Sequence, residues 1–345
     1  MTELKGNGMT INLEAETADE IWMLVANQFR DGKGSWQNSR AGKTTELLHT
    51  ALCIRNPRQR WVSSRNPVLN PAFAFAEVVW ILQGKNDSKF LNYFNRSLPK
   101  YAGTGEVYDG AYGHRLRNHF GIDQIERAYN VLRENPDSRQ VILQIWDVSS
   151  DLPNDDGVAK STDVPCNVCS LLKVRSGKLE WLQIMRSNDV FIGLPYNIIQ
   201  FTTLHELMAS WLGLELGHYH HISDSLHIYE GSIERVISSN ALTSPANLDH
   251  LSGSYDDTLE VVKSISLGIE QIIDESVASG TLADRYRELN LPQPWLNIAS
   301  ILFAEGLRRR GGREEMEAVL RTCSNQLFVF LFERWLARTA KRERD

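Results

Sequence analysis

The stretch VPCNVC, residues 164–169, separates Cys166 from Cys169 by two residues, and three kinds of chemistry use that spacing. The pair can hold half of a zinc site, cycle between dithiol and disulfide, or contain a single nucleophile. A closed zinc site wants four ligands, usually from a second cysteine pair or a closely spaced histidine pair. Cys53 and Cys323 stand alone in the sequence, and although His218 and His220 would share a face on a strand, nothing in the sequence pairs them with a cysteine. A thioredoxin-like dithiol needs a βαβ context that is missing here. A single nucleophile is the reading that survives, and no metal is expected. A second stretch, RAGKTTE at 40–46, ends like a phosphate-binding loop, but Gln37 occupies the place of its first glycine. Arg40 with Gly-Lys-Thr-Thr still offers donors to a phosphate, and a plain surface turn explains the segment equally well.

The elements that must position these residues belong to a chain of 345 residues with 42% hydrophobic content, enough for one large domain or two ordinary ones. The net charge of −6 gives no basic excess for wrapping nucleic acid. The N-terminal residues carry no apolar signal region, and no apolar run approaches the roughly twenty residues of a membrane span, so a cytoplasmic protein without membrane contact is expected. Four scattered cysteines agree with a reducing compartment. Residues 17–30 read as an amphipathic helix opened by Thr17 or Asp19, 69–84 as an apolar helix stopped at Gly84, and the stretch after Gly121 as a helix ending before Pro136. Residues 141–148 and 166–174 read as strands, the second joined across Ser176-Gly177 to a hairpin partner at 178–186. A long buried helix follows at 198–217, with polar connectors at 149–163 and 240–258. Two amphipathic helices, the second long, fill the C-terminal region. Helices, strands, helix, strand and helices in that order predict an α+β fold.

From Cys166 onward, the elements Arg186-Ser187-Asn188-Asp189, Gly193-Leu194-Pro195-Tyr196-Asn197 and His227-Ile228-Tyr229 follow one another in fixed order. This succession resembles the thymidylate synthase and pyrimidine hydroxymethylase superfamily, which places a Pro-Cys nucleophile, Arg-Ser-x-Asp, Gly-x-Pro-[Phe/Tyr]-Asn and His-x-Tyr at matching intervals. Upstream, AEVVWILQG, GAYGHRLR and NPDSRQVILQIWD are similar to further family segments, so the resemblance covers roughly residues 35–235. It implies a mixed sheet flanked by helices, with a catalytic core at 1–239 and a divergent helical region at 240–345 packed on the core or at a dimer interface.

The implied reaction is one-carbon transfer from 5,10-methylenetetrahydrofolate to C5 of a pyrimidine nucleoside 5'-monophosphate. C5 is a poor nucleophile until a thiolate adds at C6, and the resemblance makes Cys166 that thiolate. Arg40, Arg139 and Arg186 match the phosphate and thiol-activating cations, Ser187 stands with them, and Asn197 can read O4 and N3–H of a uracil edge. Glu77 and Tyr112 match residues that manage protons at O4 and C5. Asp189 matches the carboxylate that holds the folate pterin, and His227 with Tyr229 the pair on the sugar hydroxyl. A phosphate arginine crosses between subunits in the family, so Arg139 implies a homodimer.

Each residue has a plainer explanation. Cys166 can be a small buried hydrophobe, as Cys169 on the other face is read to be. Glu77 in an apolar helix needs a partner or a proton, Asn197 can cap a helix, and Asp189 can be a turn residue. The departures from synthase bear on the product. Asn167 replaces a histidine after the nucleophile, Gln140 replaces an arginine, Tyr101 is the nearest aromatic where the family has a shielding tryptophan, and the C-terminal residues do not match the family's closing apolar tail. A wetter site implies hydroxymethylation, with reductive methylation of the synthase type as the alternative. Since deoxycytidylate hydroxymethylases carry Asp at the position of Asn197, uracil is the implied base. A catalytically silent nucleotide- or partner-binding relative is the reading from a different class, and retention of the nucleophile speaks against it.

Overall fold

The computed structural model describes residues 10–39 and 42–342. Along the chain the elements are β1 (Asn12–Ala15), α1 (Ala18–Arg30), β2 (Ser35–Ser39), β3 (Gly42–Ile54) and α2 (Pro71–Leu82). Short helices α3 (Ser88–Asn92), α4 (Pro99–Ala102) and α5 (Tyr112–His114), a π-helical turn (Arg115–His119), α6 (Gln124–Glu134), β4 (Ile142–Gln144) and α7 (Val148–Asp151) come next. Then follow β5 (Asn167–Arg175), β6 (Lys178–Asp189), α8 (Gly193–Trp211), β7 (Glu215–Tyr229) and α9 (Glu230–Ile237). Five helices complete the described chain: α10 (Tyr255–Ile273), α11 (Ser279–Arg287), α12 (Gln293–Arg309), α13 (Arg313–Leu320) and α14 (Gln326–Arg342).

The sheet order is β1-β3-β7-β6-β5-β4, with β2 hairpinned onto β3. The β1–β3 and β6–β7 pairs are parallel and the others antiparallel, so the fold is α+β with a mixed sheet. Local chemistry explains the boundaries. Thr17 caps α1 in a reciprocal box with Glu20, Asn70 caps α2 ahead of Pro71, and Asp123 caps α6. Ser176 and Gly177 both take positive φ and close the β5–β6 hairpin.

The two faces of the sheet differ. The row Leu143, Ser170, Gln183, His221 and Leu52 is buried, beneath α1 and α8. The alternate rows, Cys169–Ile184–Ile222–Ala51 and Ile142–Leu171–Leu182–His220–Cys53, keep partial or full exposure. On the helical side α2 packs against α8, and α10, α12 and α14 pack on α2 in turn, in one continuous apolar core.

Several sequence expectations are adjusted by the structure. The strand expected at 141–148 is only three residues long, because Ile145 and Trp146 both donate to Val168 O and Val148 begins α7. The long second C-terminal helix is broken into α13 and α14 around Asn325, whose Oδ1 accepts from Leu327 and Phe328 N–H and restarts the helix. The helix expected to reach 217 ends at Trp211, and Gly213 at φ +66° turns the chain into β7.

Candidate active site

The cysteine that opens β5 is held from the neighbouring strand. Arg186 of β6 donates its backbone N–H to Cys166 O (3.0 Å), its Nε to Pro165 O (3.0 Å) and its Nη2 to Val164 O (3.2 Å). Its guanidinium also lies 5.2 Å from the Trp146 ring centroid. An arginine expected at a phosphate thus fixes the loop of Cys166 with part of its donor fork.

Tyr112 reaches the same place by a different route. A Cβ at Gly113 would lie 2.4 Å from Ile81 O in α2, and one at Gly110 would lie 3.0 Å from Pro165 N. The two glycines let this segment run between α2 and the cysteine loop, and Gly110 N donates to Asp163 Oδ2 (2.8 Å) to tie the loops together. Burial raises the Asp163 carboxyl to about 6. The Tyr112 phenol is driven far above its ordinary value, first by burial and then by negative charge at Cys166, with further contributions from Asp163 and Glu77. The Asn167 amide opposes that rise. Residues from α2, the 163–166 loop and the start of β5 thus all bear on the ionisation of Tyr112.

Asn167 is fully buried, and its Oδ1 accepts from Gln183 Nε2 (2.6 Å). Gln183 Oε1 in turn accepts from Ser170 Oγ (2.6 Å) and Trp181 Nε1 (3.2 Å). This network holds Asn167 by its oxygen, and Nδ2 is buried with no hydrogen-bond partner assigned among the described residues. Glu77 keeps some solvent access while its carboxyl lies deep among protein atoms, and this burial raises its pKa to about 8. The Gln200 side chain approaches it and opposes the shift, but Glu77 Oε2 has no hydrogen-bond partner. At neutral pH Glu77 is therefore a neutral acid, which resolves the cost of a carboxylate in an apolar helix.

Asn197 lies on the second turn of α8 and donates from Nδ2 to Gln200 Oε1 (3.2 Å). It does not cap the helix, which has no side-chain cap. Asp189 divides its two oxygens: Oδ1 accepts from the N–H groups of Phe191 (2.7 Å) and Ile192, while Oδ2 is buried without a partner among the described residues. The turn-residue reading accounts for the first oxygen only. Burial raises the Asp189 carboxyl, opposed by those backbone donors, by His227 and by Arg65. His227 sits directly across from Asp189 in the β6–β7 register and packs edge-on against Tyr229, ring centroids 5.3 Å apart. Ser187, on the same strand as Asp189, is half-buried and paired in register with Ser225.

Two expected residues do not join this group. Arg139 is exposed just ahead of the edge strand β4 and has no hydrogen bond or ion pair among the described residues. Arg40 lies outside the described residues, so the phosphate reading of the 40–46 loop stands as an expectation. Sequence reasoning also missed several members. Gln200 had a usable signal, a polar residue one helical turn after Asn197 between apolar neighbours; Gln183 and Asp163 had none, because each acts through a partner distant in sequence.

The C-terminal helix borders the Asp189 side of the site. From α14, Arg334 donates to Ser63 O (2.6 Å) and Arg338 to Val68 O (2.8 Å), clamping the loop that carries Arg65. Arg65 is nearly buried, donates to Phe191 O (2.7 Å) and stacks 3.9 Å from the Phe191 ring centroid, beside Asp189.

Comparison with known proteins agrees with this geometry. The family model described as thymidylate synthase matches residues 32–254. Among curated proteins, a deoxyuridylate hydroxymethyltransferase of Bacillus phage SP01 is 35% identical over 201 residues, covering 55% of this chain and 51% of that protein. A deoxyuridylate hydroxymethyltransferase of Pseudomonas phage M6 is 34% identical over 169 residues, covering 48% and 47%. A thymidylate synthase candidate of Methanothermobacter marburgensis is 29% identical over 226 residues, covering 64% and 94%. This chain spans about half the length of the two phage proteins. With nearly two thirds of its residues inside the match, the chain belongs to the thymidylate synthase family.

Proposed function

We propose that this protein is a folate-dependent one-carbon transferase that hydroxymethylates C5 of a deoxyuridylate-type pyrimidine nucleoside 5'-monophosphate. The observation that carries the proposal is the setting of Cys166, whose loop is fixed by three Arg186 bonds and tied through Asp163 and Gly110 to the segment that carries Tyr112. Cys166 adds as thiolate to C6 of the base, and the electron pair displaced toward O4 makes C5 nucleophilic. Glu77, neutral below about 8, donates a hydrogen bond toward O4 as that charge develops. Tyr112 keeps its proton across the physiological range and stands ready to relay it at C5. Asn197, oriented by Gln200, reads the base edge, and an amide there suits the N3–H of uracil.

Methylenetetrahydrofolate supplies the one-carbon unit at the oxidation level of formaldehyde. The chain fits that molecule on the Asp189 side, where a buried, unpartnered carboxylate oxygen calls for an N–H donor of the kind a pterin presents. Arg65, Phe191 and the α14 clamp form the wall beside it.

Water finishing the reaction at the C5 carbon gives the hydroxymethyl product; hydride from the folate gives the methyl product of a synthase. Asn167, tied into the Gln183 network where synthases carry a histidine, and the two relatives named as hydroxymethyltransferases favour water. Incubation with deoxyuridylate and methylenetetrahydrofolate is expected to yield a nucleotide heavier by the mass of formaldehyde, with tetrahydrofolate as the folate product. Stoichiometric dihydrofolate, followed by its absorbance, together with a methylated nucleotide would replace this reading with the synthase reaction and leave the site assignment intact.

The proposal includes a homodimer formed through the open face of the sheet. Ile142, Leu171, Leu182, Ile184 and Ile222 leave apolar surface there, Ile142 being 50% exposed, and the unpaired Arg139 at the adjoining edge is free to reach a partner's phosphate site. Mixed chains carrying Cys166→Ala and Arg139→Ala, each inactive alone, are then expected to recover up to roughly a quarter of wild-type activity, because a random hybrid contains one intact site. No recovery after demonstrated subunit exchange would remove the shared-site element.

A further inference from the structure

Away from the active site, the open face of the sheet gathers three metal-ligand side chains from positions far apart in sequence. Cys53 on β3 lies directly opposite His220 on β7 in the antiparallel register, and His218, two residues before His220, points to the same face. The sulfur and one nitrogen of each ring all lie within 4.8 Å of one another, and the ring centroids are 6.3 Å apart.

A carboxylate stands beside them. Glu180 of β6 accepts the backbone N–H of His218 at Oε2 (3.0 Å), and the same oxygen is 4.0 Å from His220 Nε2. Gly217 makes this placement possible, since a Cβ there would fall 2.6 Å from Glu180 Oε1. From the other side Glu14, opposite Cys53 in the β1–β3 register, is paired with Arg55 at 2.7 Å.

We propose that Cys53, His218 and His220, with Glu180 as the fourth ligand, form a binding site for a divalent transition metal of the zinc class. One thiolate, two imidazoles and a carboxylate form a donor set that zinc accepts in tetrahedral geometry. Tetrahedral zinc places such ligands about 3.3–3.6 Å apart, so rotation of the exposed histidine side chains by about an ångström closes the site. On binding, the metal–sulfur bond forms as the Cys53 thiol gives its proton to solvent and water leaves the metal. The bound ion ties β3, β7 and β6 together across the face. The absence of a metal expected from the Cys-x-x-Cys pair is a separate matter, because neither Cys166 nor Cys169 takes part.

The test uses the purified full chain, stripped with a chelator and titrated anaerobically with cobalt(II). One cobalt per chain is expected, with a thiolate-to-cobalt charge-transfer band that zinc(II) bleaches by displacement. Cys53→Ser should remove the band, the double variant His218→Ala/His220→Ala should weaken binding at least ~100-fold, and Glu180→Gln should weaken it about tenfold. Cys166→Ala and Cys169→Ala should each keep both band and stoichiometry. Zinc should raise the melting temperature of the wild type and not that of Cys53→Ser or of the histidine double variant. Absence of the band in the wild type, or a band that survives Cys53→Ser and disappears with Cys166→Ala or Cys169→Ala, overturns the site.

Discussion

Cys166→Ala is expected to lower turnover by on the order of 10⁴-fold or more while nucleotide affinity changes by no more than a few fold. Without the thiolate, C5 has no route to nucleophilic character, whereas the groups that grip the nucleotide are contributed by other residues. The substitution is also structurally mild. Arg186 holds the loop through the carbonyls of Val164, Pro165 and Cys166, none of which an alanine alters. Cys169→Ser is the matched control, since its side chain lies on the open face of the sheet in one row with Ile184 and Ile222. That variant should retain at least about a third of the activity, since serine differs from cysteine by one atom. Rate measurements under single-turnover conditions, paired with calorimetric nucleotide binding, distinguish the outcomes. Equal losses in both variants, restored by added zinc, would return the cysteine pair to a metal role and sink the nucleophile assignment.

The candidate group was legible as a pattern where its residues stand at fixed sequence intervals. Cys166, Asp189, Asn197 and His227 lie at strand ends and on the first turns of α8, so their spacing in sequence carries over into space. Partners that act across the sheet were not legible. Gln183 supports Asn167 from sixteen positions away, and Cys53 meets His220 only because β3 and β7 are neighbours. The strand β3 itself escaped detection for a local reason. His49 takes φ +53°, and the burial alternation Leu47, then Thr50, Leu52 and Ile54 slips by one residue at that point, so no steady period of two is visible across 42–54. The C-terminal helices had clear apolar stripes, but stripes do not say what they face; the Arg334 and Arg338 contacts to the 63–68 loop do.

Glu77→Gln isolates a proton from a shape. The native side chain carries a carboxyl raised to about 8 by burial, against an ordinary value of 4.5, so in the folded protein it holds a proton that the unfolded chain has already released over that interval. The stability contributed by this group is therefore fully present below about 4.5 and is lost as the pH rises through about 8. The glutamine variant has no such dependence, so the wild type should lose stability relative to it by on the order of 5 kcal/mol across that window. Denaturant melts of the two proteins at several pH values read this difference directly. In catalysis the direction is opposite. Glutamine can still donate a hydrogen bond toward O4, but it cannot exchange a proton with the base as charge develops, and kcat/KM should fall by about 10²–10³-fold. The wild-type kcat/KM should also decline above about 8 as the carboxyl ionises, a limb that the variant's residual activity lacks. A variant with near-wild-type activity, or one whose stability follows the wild-type pH profile, would show that Glu77 is only a buried packing residue and would leave O4 without its acid.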